Sequence, residues 1–169
     1  MSAFVRGLTD VALPTHLLAV VALGLLAGQH AARFPVLALI ELAAGLFAGS
    51  LAIAMGLGEN PAATVLLALA VLCAAGVVAA WPIPVPIVGL FGFATGVALA
   101  LNAPPQEITM ANAVTAQAGL AVGALAAFAL VAATAMHATR PWQRIGVRIV
   151  AAWVAASAIL VLALRLRGS

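Results

Sequence analysis

Hydrophobic residues run along this chain in blocks of about twenty, broken only by short clusters of proline, glycine and polar residues. The blocks are apolar on all faces, without the two-residue alternation of a half-buried strand. At 1.5 Å per residue, a helix needs about 20 apolar residues to cross a bilayer core roughly 30 Å thick. The pattern therefore predicts transmembrane helices over 11–32, 34–56, 61–81, 84–102, 111–137 and 145–164. Proline and glycine mark the joins: Phe34-Pro35, Gly58-Glu59-Asn60-Pro61, Trp81-Pro82-Ile83-Pro84 and Ala103-Pro104-Pro105. Proline fits the first helical turn, where its missing N–H has no intrahelical partner to lose. The expected fold class is all-α: a polytopic transmembrane helix bundle of about six spans, forming one domain over 1–169.

Composition agrees with the pattern. The chain is 66% hydrophobic and 7% charged, with a mean hydropathy of +1.26. Its 169 residues leave room for the spans and short connections. No cleavable leader is expected, because Arg6 is followed by Asp10 and Pro14 rather than by a small-residue cleavage site. All seven basic residues are arginines, and all but Arg148 fall at predicted span ends. That is a topology signal rather than a nucleic-acid footprint, so the expected partner is the lipid bilayer and not a nucleic acid. Arg33, Arg140, Arg144 and Arg148 share one side of a six-span layout. Arg6, Arg165 and Arg167 share the other with Asp10, Glu59 and Glu107. The positive-inside rule puts the first group in the cytoplasm and both termini outside. Cys73, the only cysteine, allows no intramolecular disulfide.

Four predicted spans carry glycines four residues apart: Gly24 and Gly28, Gly45 and Gly49, Gly92 and Gly96, Gly119 and Gly123. Such pairs form a flat strip on which two helix backbones can meet. They are expected to pack helices within the bundle. Arg140, Arg144 and Arg148 recur every fourth residue and so share one helix stripe. With Trp142 they suit a lipid-phosphate or partner anchor at the membrane surface.

Ionisable groups within a membrane are costly and need a partner or a purpose. Glu41 lies two turns into the second predicted span. An ion pair with Arg144, Arg148 or His30, a protonated acid, and a proton or cation site are the three readings open to it. His16 and His30 are 14 residues apart, roughly 21 Å along one helix, too far to ligate one ion. Thr109, Asn112 and Thr115, with Gln117 close by, form a polar strip that either lines an outward-facing vestibule or hydrogen-bonds to neighbouring helices, and the second is expected. No nucleophile elbow, phosphate-binding loop or paired cysteines are present. An enzyme is not expected, and no cofactor is implied.

Three segments resemble the HupE/UreJ family of small bacterial membrane proteins. They are the run from Thr15-His16 to Ala27, the turn and span from Gly58-Glu59-Asn60-Pro61 to Leu72, and the run from Arg144 to Trp153. The resemblance implies a multi-pass protein of the bacterial inner membrane, in a family associated with nickel or cobalt import. Its members open with a His-Pro…Asp-His pattern, of which this chain keeps the last histidine as His16, with Thr15 in place of the aspartate. The later His-rich motif falls near Phe91-Gly92-Phe93-Ala94-Thr95-Gly96, which has no histidine. The expectation is therefore a non-catalytic accessory or structural subunit packed among other membrane subunits. The alternative is a nickel or cobalt permease using His16, Asp10, Glu59 and Glu41.

Overall fold

The computed structural model describes residues 2–29, 33–56, 62–104 and 109–168. Among them are seven helices and no strand: α1 (Ala3–Asp10), α2 (Pro14–Gly28), α3 (Arg33–Ala54), α4 (Ala62–Ala79), α5 (Val85–Asn102), α6 (Met110–Met136) and α7 (Pro141–Gly168). Helices α3 to α7 are each long and apolar enough to span a bilayer. Helices α1 and α2 make a sixth crossing only as a pair, bent by 63° at the break between them. This is a multi-pass membrane protein with an all-helical bundle of about six spans.

The bend has a local cause. Proline crowds the backbone of the residue before it and disfavours helical dihedrals there. Leu13 is accordingly extended, at φ −57° and ψ 135°, and α2 starts afresh at Pro14. The hydrophobic pattern alone begins the first span at Val11. The structure instead adds α1 ahead of it, a helix of eight residues.

Helix α2 forms the axis of the bundle. Ten of its fifteen residues are buried, and it packs on all five helices from α3 to α7. Around it the tightest seams are α3 with α5 and α1 with α6, followed by α4 with α7. The core is apolar, built on Leu23, Leu26, Leu66, Leu67, Leu99, Leu120 and Phe128. Large apolar residues also face outward, among them Phe47, Leu130 and Trp153, as expected where acyl chains replace water.

Backbone contact at small residues sets these seams. Gly45 lies against the backbone of Phe93 and Gly96, and Gly49 against Val97 and Ala100 one turn further on. Contacts advance together along the two helices, so α3 and α5 run parallel. From the other side Gly92 meets Ala38 and Gly96 meets Leu42 and Leu46. A Cβ on Gly96 would overlap the Leu42 carbonyl and come within 2.7 Å of the Leu46 nitrogen. Helix α6 carries the other two strips. Gly119 lies against Phe4 and Gly123 against Leu8 and Val11, with Gly7 of α1 against Ala116 in return. Gly24 and Gly28 of α2 meet α6 lower down, at Phe128, Val131, Ala132 and Ala135. All eight glycines of the four pairs thus face another helix of the same chain.

Candidate functional site

Polar side chains gather at two opposite ends of this apolar bundle. At the first, α1 ends, α2 begins, α5 ends and α6 begins. A helix leaves its last carbonyls without intrahelical donors, and these ends would bury such groups in a poorly solvated place. His16, fully buried two residues into α2, adds a second donor to the end of α1, where the Asp10 carbonyl also accepts from the Leu13 N–H at 3.1 Å. Its Nδ1 lies 2.7 Å from the backbone carbonyl of Asp10 across the break. Its Nε2 lies 2.8 Å from the side-chain amide nitrogen of Asn102, the last residue of α5. A carbonyl can only accept, so Nδ1 carries the proton and donates to Asp10. Nε2 is then the acceptor for the Asn102 amide, and the imidazole is neutral with both nitrogens engaged. Beside it, Gln117 donates from Nε2 to the Ala103 carbonyl at 3.1 Å, tying α6 to the end of α5.

The other polar residues of α6 act locally. The Thr109 hydroxyl accepts from the Asn112 backbone N–H as a helix cap, and Thr115 donates to Ala111 within the helix. In α5, Thr95 is buried and its hydroxyl has no hydrogen-bond partner among the described residues.

The candidate metal residues are distributed as follows. Asp10 and His16 do meet, but through the Asp10 backbone carbonyl rather than its carboxylate. Glu41 is half-buried on the α3–α5 seam, its Cβ and Cγ packed over Gly92 and Gly89. Its carboxylate has no hydrogen-bond or ion-pair partner among the described residues, Arg144 and Arg148 included. Those arginines belong to α7, which packs on α4 and α2. Glu59, Glu107 and His30 lie outside the described residues. Among the described ones, no three His, Cys, Asp or Glu residues gather at metal-binding spacing.

The second polar end carries Arg140, Trp142, Arg144 and Arg148, all exposed. Arg144 and Arg148 line a cleft of about 590 Å³ that also reaches Gly28, Gly76, Ala80 and Ala135. The ends of α2, α4 and α6 and the start of α7 therefore share one face of the bundle. Trp81, 67% exposed, stands on its rim.

Asn102, part of the first site, and Gln29, which lines the cleft at the second, carry no motif that singles them out. The available signal is positional: Asn102 is a lone amide closing an apolar run just before Ala103-Pro104, where a buried helix end needs a polar partner. Compared with protein-family models, with curated proteins and with solved structures, the chain has no match.

Proposed function

We propose that this chain is a non-catalytic accessory subunit, of HupE/UreJ-like fold, that packs within a larger complex of the bacterial inner membrane. One observation carries the reading: the Asp10–His16–Asn102 chain occupies both nitrogens of the buried imidazole. A ring used in this way holds three helix ends together. It offers a passing cation no lone pair until the Asn102 amide leaves. The lateral surface is apolar enough to meet either acyl chains or a neighbouring subunit. Helix α7 presents Ile145, Ile149, Trp153, Leu160 and Leu164 outward over much of its length.

Mild detergent extraction from native membranes tests the proposal. An accessory subunit travels with other polypeptides through two successive purification steps. A chain that purifies alone, and supports nickel or cobalt uptake in vesicles, overturns the reading in favour of the permease. In that case His16→Ala abolishes uptake, because His16 is the histidine common to this chain and the transporter pattern.

A further inference from the structure

The cleft at the Arg144 end has no role in that reading. Arg148 lies seven residues into α7, roughly 10 Å along the helix from Pro141. A guanidinium so close to an apolar run is costly unless an anion or water compensates it. Neither the Arg144 nor the Arg148 guanidinium has a hydrogen-bond or ion-pair partner among the described residues. They lie one turn apart on one helix face and both border the same cavity of about 590 Å³. Gln29 and Thr139 add further polar groups to its wall.

We infer that this cleft binds a phosphate-bearing anion, with Arg144 and Arg148 on its oxygens. Two planar guanidinium forks match the tetrahedral array of phosphate oxygens better than they match a monovalent halide. The cavity is several times larger than one phosphate, which leaves room for the group the phosphate is esterified to. Trp81 borders the same space and offers the amphipathic ring typical of a bilayer surface. The phosphate has two possible sources, a phospholipid headgroup and a soluble phosphate ester. Both present the same oxygens to the arginines.

The protein reports on this cleft itself. In a W142F/W153F background Trp81 is the only indole, and it stands on the rim. The purified protein in a non-ionic detergent is titrated in one arm with brominated phosphatidylglycerol. In the other it is titrated with inorganic phosphate and pyrophosphate. Saturable change in Trp81 fluorescence is expected in one arm, and which arm responds identifies the source. R144Q/R148Q should weaken that response by about tenfold or more, as loss of charge-assisted hydrogen bonds implies. R165Q, near the far end of α7 and outside the cleft lining, should leave it within about twofold. Should the glutamine pair fail to fold, R144K/R148K keeps both charges and loses the forks, and binding should still weaken at least about threefold. No saturable response in either arm overturns the inference. So does full affinity in the glutamine pair or in the lysine pair.

Discussion

The two ends of the bundle handle polar groups in opposite ways. At the His16 end the buried imidazole and the amides beside it are paired inside the protein: His16 with the Asp10 carbonyl and the Asn102 amide, and Gln117 with the Ala103 carbonyl. At the Arg148 end two guanidiniums face a cleft with no partner among the described residues. Both ends lie on the same apolar scaffold, so hydrophobicity does not explain the difference. Closure does. The first end ties neighbouring helix ends to one another through side-chain hydrogen bonds. The second holds charge that only something from outside can answer. A closed polar cluster is architecture, and an open one is a place to bind.

The largest perturbation removes the scaffold common to both ends. Gly96→Leu would place a branched side chain where α3 backbone already stands, at the Leu42 carbonyl and the Leu46 nitrogen. The α3–α5 seam must then open, at a cost of about 3 kcal/mol. The expected outcome is loss of a monodisperse peak in size-exclusion chromatography. Retention of a folded peak would mean that the two ends do not depend on this seam.

His16→Leu comes next, because it acts on the closed end alone. It keeps the volume and leaves the half-buried Asn102 amide without its acceptor, at a cost of about 2 kcal/mol. A thermal-unfolding midpoint in detergent should fall by roughly 4–8 °C for a chain of this size. Arg148→Gln, at the open end, should stay within about 0.5 kcal/mol of the parent protein. Equal losses in both variants would erase the distinction between the ends. Asn102→Ala is milder, about 1 kcal/mol, since polar contacts between membrane helices average under that. A double-mutant cycle of His16 with Asn102 sharpens the point. Coupling of about 0.5–1.5 kcal/mol is expected, and none at all would show that the 2.8 Å contact contributes nothing.

These contrasts also explain what the sequence makes legible. Spans α3 to α7 are visible because bilayer thickness sets a length that a run of apolar residues must meet. The glycine pairs are visible because close helix approach needs small residues four apart. Helix α1 is not, since its eight residues are too few for a hydropathy window. It is held by a tertiary contact, Gly7 on Ala116. The His16–Asn102 bond joins residues 86 apart, and no local pattern specifies it. Glu41 stands out as an intramembrane acid. The expected arginine partners lie on α7, which the sequence cannot locate relative to α3. The cleft combines residues from four helices and so exists only in the fold.

Ala80 offers the finest test of whether the open end is tuned rather than left over. It closes α4 with φ 50°, a left-handed conformation that is costly for any residue with a Cβ. The geometry is a Schellman cap: Trp81 N–H donates to the Gly76 carbonyl at 3.2 Å, and Ala80 N–H to Val77 at 3.2 Å. Glycine is the residue that relieves this conformation, so Ala80→Gly should stabilise the bundle by about 0.5–1 kcal/mol. The gain should appear as a rise of roughly 1–4 °C in the same thermal assay. Because Ala80 and Trp81 both border the Arg148 cleft, the relaxed cap should also hold the indole less firmly. Time-resolved anisotropy of Trp81 in the W142F/W153F background measures that directly. A stabler protein with a more mobile Trp81 would show that strain at this end is used to shape the cleft. A stabler protein with an unchanged indole would show that the strained cap plays no part in it.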